Sequence, residues 1–183
     1  MAYAPILYDF DIGLSQVDRG LDQRLSVRTA RHPSETLDRV WLRVLTYCLF
    51  YEERLAFGPG LSDPEEPDLE ARDLTGERTL FVRVGKPEPA RIQKVSDQNG
   101  RARIAVVFDS PQRMEGFVAA AREARLGRLA RVELFAIDPE LTAGLAEVED
   151  RRAKATVTFV GDHFYVERAG RSLDGPLTRA SIT

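Results

Sequence analysis

The sequence predicts a mixed α/β (α+β) fold: a central sheet with parallel and antiparallel pairs, flanking helices, and an antiparallel hairpin at each end. Three observations carry this. From residue 79 onward, short apolar strand-like runs alternate with helix-like stretches, the order that builds parallel strand pairs. Residues 6–29 and 156–167 each hold two alternating runs joined by turn chemistry, Asp18-Arg19-Gly20 in one and Gly161-Asp162-His163 in the other. Between residues 33 and 55, apolar side chains recur at Leu37, Val40, Trp41, Val44, Leu45, Cys48 and Leu49, the three-and-four spacing of one long helix.

In order, residues 6–15 and 21–29 read as the first hairpin, with Leu25, Val27 and Thr29 on one face of its second strand. The helix over 33–55 follows, with Pro33 at its first position and His32 as its cap. Residues 57–67, rich in Gly, Pro and acids, read as an exposed connection in which Gly58-Pro59-Gly60 turns the chain. A strand over 79–84 leads through Pro87 and Pro89 into a helix over 90–98, stopped by Asn99-Gly100. Strand 104–108, helix 111–126, strand 132–137 and helix 139–148 alternate next, and strands 156–160 and 164–167 form the last hairpin.

Composition narrows the class. At 183 residues, with 43% apolar and 30% charged, the chain buries a real core. Neither a repeat nor a low-complexity linker divides it, so one domain over 1–183 is expected. A net charge of −3 supplies no global field toward nucleic acid or an anionic membrane, so any nucleic-acid contact is local. Cys48, the one cysteine, sits in an apolar run and reads as a buried hydrophobe. Only two histidines occur, His32 and His163, so a multi-histidine zinc site is excluded, and neither a Walker A nor a GxSxG pattern is present. The N-terminus Met1-Ala2-Tyr3-Ala4-Pro5 lacks a leader pattern, and no apolar run reaches membrane-span length, so a soluble, cytoplasmic protein is expected. Arg122, Arg125, Arg128 and Arg131 drift round a helix at three-residue intervals and read as a solvated surface.

Several short motifs occur in one order. They are Arg31-His32-Pro33-Ser34-Glu35-Thr36, Glu52-Glu53-Arg54-Leu55-Ala56-Phe57, Gly60-Leu61, Glu66-Pro67-Asp68-Leu69, Asp73, Thr75-Gly76, Gly85-x-Pro87 and Arg91-Ile92-x-Lys94. In this combination the chain resembles the YaeQ family, a variant of the PD-(D/E)XK nuclease fold, across essentially its whole length. The resemblance implies a restriction-endonuclease-like sheet. It also implies a divalent metal, usually magnesium, held by carboxylates beside a lysine, because phosphodiester cleavage builds negative charge that a hard cation offsets. Glu35 matches the helix carboxylate, Asp68 the first sheet carboxylate, and Lys94 the lysine, displaced from the strand onto the next helix. Lys86 and Arg91 stand nearby as nucleic-acid or anion contacts.

Arg83, in Leu80-Phe81-Val82-Arg83-Val84-Gly85, is the departure, because it occupies the family's second sheet carboxylate. A guanidinium cannot ligate a cation, but it can pair with Asp68 and Glu35 and fill the metal's place as a fixed counter-charge. Plainer readings stand beside these. Glu35 can close a capping box, Asp68 can be a solvated strand-entry residue, and Arg83 can snorkel to solvent. Lys94 is one of only three lysines among 26 basic residues, a slight sign that a compact ammonium is wanted.

Two functional readings follow. In the first, the metal site is degraded, no cofactor is needed, catalysis is weak or lost, and the cleft binds nucleic acid or a protein partner. In the second, the chain is an active magnesium-dependent nuclease or phosphodiesterase with Glu35 and Asp68 as metal ligands and Lys94 as electrostatic helper, Glu70, Asp73 or Glu77 supplying the missing carboxylate. Whether the protein is an enzyme, and its oligomeric state, are left open by the residues; neither reading involves a membrane.

Overall fold

The computed structural model describes residues 4–58, 63 and 65–183. Gly60-Leu61 and most of the Gly58-Pro59-Gly60 turn lie outside the described residues, as do Met1-Ala2-Tyr3. The described chain has ten strands and four α-helices and divides into two compact units, Met1–Leu49 with Asp138–Leu177, and Phe50–Ile137 with Thr178–Thr183. Each unit is discontinuous in sequence, which is why no linker composition marks a boundary.

In the first unit, β1 (Ile6–Gln16) and β2 (Leu21–Arg31) form the expected hairpin, in unbroken register from Ile6 opposite Arg31 to Gln16 opposite Leu21. Their alternation buries Tyr8, Phe10, Ile12 and Leu14 from β1 with Leu25 and Val27 from β2. β8 (Arg152–Val160) pairs parallel with β1, and β9 (His163–Arg168) and β10 (Arg171–Ala180) continue as an antiparallel meander. The strand order within this unit is β2-β1-β8-β9-β10. Gly161 and Asp162 both take φ of 56°, the left-handed pair that a two-residue hairpin requires, so His163 joins β9 rather than the turn.

β10 was not anticipated: Gly175 and Pro176 interrupt its alternation, and both read as strand breakers. Gly175 is needed because a Cβ there would come 2.9 Å from the Asp138 side chain.

Helix α1 (Leu37–Leu49) is shorter at both ends than the expected 33–55. At its start, Pro33 lies in a turn closed by the Glu35 N–H on the His32 carbonyl, and the first helical bond runs from Val40 N–H to Thr36 O. His32 is therefore not the cap. At its end, the buried Gln16 amide donates to the carbonyls of Cys48 and Leu49, satisfying groups that a further turn would have used. Trp41 of α1 meets Phe10 edge-on at 4.9 Å, and α4 (Pro139–Ala146) packs along α1.

Cys48 is fully buried, and burial pushes its thiol up to about 12. The thiolate is the reactive form, so iodoacetamide at pH 7.5 should leave the native protein unlabelled over hours and label it stoichiometrically in 8 M urea. Rapid labelling in mass spectra of the native protein would show that α1 opens readily.

The second unit has the strand order β7-β6-β5-β4-β3. β5 (Arg78–Gly85), β6 (Arg103–Phe108) and β7 (Glu133–Ile137) run parallel, with α2 (Pro89–Gln98) and α3 (Pro111–Glu123) as the intervening helices. Phe81, Ile104, Val106, Phe108, Phe117 and Leu134 belong to its apolar core. α3 ends before the expected residue 126, and residues Gly127–Arg131 form a 3-10 turn. Two antiparallel strands were missed, β4 (Leu69–Arg72) and β3 (Ala56–Phe57). Both are too short for alternation to register. Among the described residues, no helix is long and apolar enough to cross a membrane.

Candidate functional site

The sequence-predicted site residues are divided between the two units. Glu35 lies in the first unit; Asp68, Arg83, Lys86, Arg91 and Lys94 lie in the second.

Asp68 immediately precedes β4 and is locked by its own backbone. Its N–H donates to Val82 O at 2.9 Å, and its carbonyl accepts from Gly58 N–H at 2.9 Å. Gly58 is required for this approach, since a Cβ there would stand 1.9 Å from Pro67 O. The carboxylate continues the β4–β5 ladder where the backbone stops: Oδ2 accepts the Val84 N–H at 2.7 Å. With a side chain only 2% exposed, Asp68 is a buried anion, not a solvated strand-entry residue.

Arg83 projects from β5 toward that anion. Its Nε lies 3.7 Å from Asp68 Oδ2, an ion-pair distance too long for a hydrogen bond. Its Nη1 donates to Glu66 O at 2.7 Å and reaches Asp63 O at 3.4 Å. The guanidinium is mostly buried, with 14% of the side chain exposed, so it does not snorkel to solvent.

Glu35 has other partners than the expected Arg83. Arg43 grips it in a fork, Nε to Oε1 at 2.8 Å and Nη2 to Oε2 at 2.9 Å, and Oε2 also accepts the His32 N–H at 3.2 Å. Arg43 further donates to Thr29 Oγ1 at 2.6 Å and Ala30 O at 2.8 Å, so Arg43 ties α1 both to β2 and to Glu35 in the turn before the helix. Arg39, one turn before Arg43, comes within 3.8 Å of the same carboxylate. The two arginines four apart on α1 were the available signal for this brace; their neighbourhood of apolar residues concealed it.

Lys94, on α2, places its Nζ 2.5 Å from Glu65 Oε1. Arg91, three residues earlier on the same helix, is 3.5 Å from Glu88, and Lys86 is exposed. The carboxylates considered as substitute ligands are also engaged. Partial burial pushes Glu70 up, but hydrogen bonds from Arg78 and Arg72 outweigh it and hold the group below the ordinary carboxylate range. The Thr75 hydroxyl and neighbouring backbone amides hold Asp73 low, while Glu77 faces Arg101 at 3.4 Å.

These residues do not fit a magnesium ion. Such an ion demands a near-octahedral oxygen shell at about 2.0–2.1 Å, and Asp68 Oδ2 instead faces a backbone N–H and a guanidinium. Among the described residues, no three Asp, Glu, His or Cys side chains converge.

The comparisons with known proteins agree on kinship. The sequence pattern of the YaeQ protein family matches residues 1–175. Two relatives, each called uncharacterized protein YaeQ, are similar over 97% of both chains: one from Salmonella typhi at 27% identity and one from Escherichia coli K12 at 26%. The crystal structure of the YaeQ protein from Xanthomonas axonopodis pv. citri superimposes with a TM-score of 0.87 at 28% identity, covering 98% of this chain and 100% of that one. The YaeQ protein from Pseudomonas syringae gives 0.84 at 27%, covering 97% and 96%. With its ten strands, four helices and nearly its whole length matched, the chain belongs to the YaeQ family.

Proposed function

We propose that this YaeQ-family protein keeps a PD-(D/E)XK nuclease-like fold whose metal has been exchanged for a guanidinium, so that it binds a phosphodiester ligand and cleaves it weakly or not at all. The observation that carries this reading is the Arg83 side chain within 3.7 Å of the buried Asp68 carboxylate. A fixed cation there meets the charge requirement of the acid without a diffusible ion, and it repels a second cation. Glu35 supports the reading because Arg43 occupies both of its carboxylate oxygens.

The test is Arg83→Glu. Placing a second carboxylate beside Asp68 should destabilise the protein by about 2 kcal/mol through like-charge repulsion and the loss of a partner for a buried anion. Magnesium or manganese should then restore much of that loss, since a ligand at about 100 times its Kd contributes about 2.7 kcal/mol. The wild-type melting temperature should not respond to either metal, and the wild type should leave single- and double-stranded DNA and RNA intact. Efficient metal-dependent cleavage by the wild type, lost on substituting Glu35, Asp68 or Lys94, would instead favour the magnesium-dependent nuclease that uses those residues. An Arg83→Glu protein as stable as wild type and indifferent to metal would sink the exchange itself.

A further inference from the structure

The cations of the proposed site are held by an acidic turn of the same chain. Asp63, Glu65 and Glu66 form one compact unit: the Asp63 carboxylate accepts the Glu65 N–H at 2.9 Å, and its carbonyl accepts the Glu66 N–H at 3.2 Å. Three basic side chains from β5 and α2 hold this unit. Lys94 Nζ lies 2.5 Å from Glu65 Oε1, and Arg78 Nη2 lies 3.6 Å from Glu66 Oε2. Arg83 Nη1 contacts the carbonyl oxygens of Asp63 and Glu66 at 3.4 and 2.7 Å. The turn thus offers oxygens, two of them charged carboxylates, to the side chains that a phosphodiester backbone would otherwise contact.

We infer that the acidic turn at Asp63, Glu65 and Glu66 stands in for nucleic-acid phosphates, competing with a phosphodiester chain chiefly for the exposed Lys94, while Arg78 and Arg83 hold the turn in place. This rests on the nuclease-like reading and specifies how access to that site is regulated. The contact between Lys94 and Glu65 is of the right strength for a competitor. Lys94 and Glu65 are 56% and 52% exposed, and exposed pairs of this kind are weak and salt-screened, so a polyanion can displace the turn. Arg91 lies one helical turn from Lys94 on the same face of α2, and its pair with Glu88 is also exposed, so it extends the cationic track once the turn is displaced. An acidic protein segment would satisfy the same cations less well, because a phosphodiester chain presents charge at every nucleotide.

The experiment is fluorescence anisotropy with labelled 20-nucleotide single-stranded DNA, single-stranded RNA and duplex DNA, with labelled polyglutamate as the acidic-peptide control, in EDTA, across a salt series. The double variant Glu65→Gln/Glu66→Gln changes two exposed or half-exposed side chains and should fold as wild type. It should bind at least one of the three nucleic acids about fivefold to tenfold more tightly at low salt, the effect of removing one or two weak competing pairs. For a single strand, its slope of log affinity against log salt should steepen by about 0.7 for each additional phosphate that the protein neutralises. Adding Lys94→Gln should abolish the gain. The nucleic acid that tightens most identifies the strand type. Binding no tighter than wild type for all three overturns the inference, as does a gain seen only with polyglutamate. Because EDTA is present and binding is the readout, the result is independent of whether the wild type cleaves with magnesium.

Discussion

Replacing Arg43 with Met should cost about 3–5 kcal/mol, the largest single effect expected in this protein. The fork from Arg43 is the main countercharge of Glu35, whose side chain is 1% exposed, and Met fills similar volume without supplying charge. Removing one member of a buried pair leaves the other desolvated and uncompensated, and that accounts for most of the cost. For a chain of this size, the melting temperature should fall by roughly 10 °C. The effect should reverse when Glu35→Leu is added, since apolar residues of similar volume replace a buried ion pair at little or no cost. Urea unfolding of the two single variants and the double variant closes the cycle. A loss below about 1 kcal/mol for Arg43→Met would mean that water reaches Glu35. If the double variant stayed as unstable as Arg43→Met, the bonds from Arg43 to Thr29 and Ala30 would be the dominant contribution.

Asp68→Ala should destabilise by about 3 kcal/mol. The Val84 N–H would lose its carboxylate acceptor, and hydrogen bonds to charged groups are worth roughly 1.5–3 kcal/mol. Arg83, mostly buried, would lose its anion as well. Asp68→Asn separates the two contributions, because the amide oxygen still accepts from Val84 while the charge is gone; it should cost about 1 kcal/mol. The same urea titrations measure both. Were Asp68→Ala as stable as wild type, the carboxylate would have no structural work in the β4–β5 ladder, and a role confined to ligand binding would regain the advantage. Arg83→Glu bears on a different matter, the choice of cation, and the acidic-turn variants on access to it.

Much of the fold was legible because its longer elements repeat their signal. The β1–β2 hairpin, α1, and the β5-α2-β6-α3-β7 succession each bury a face at the period their backbone dictates. Elements whose signal is short or contradictory were not legible. β3 and β4 span two and four residues, and β10 carries Gly175 and Pro176 within its run. The ends of α1 also misled. The helix expected from its spacing runs on to residue 55, yet a glutamine far earlier in the chain, Gln16, takes the carbonyls that would have continued it.

The candidate site divides the same way. Motif order pointed to Glu35, Asp68, Arg83 and Lys94 as the residues worth attention, and local spacing correctly placed Arg83 on a strand. Which charge meets which is a different kind of question. An ion pair is set by the distance between side chains, and Glu35 is eight residues from Arg43, Asp68 fifteen from Arg83, and Glu65 twenty-nine from Lys94. The sequence by itself determined the periodic faces, and through them most strands and helices, because those depend on neighbours within a turn or a strand. Only the tertiary structure decided that Arg43 holds Glu35, that Arg83 faces Asp68, and that Glu65 of an acidic turn pairs with Lys94. Each of these pairings depends on Coulomb attraction and desolvation between groups that folding brings together across the chain.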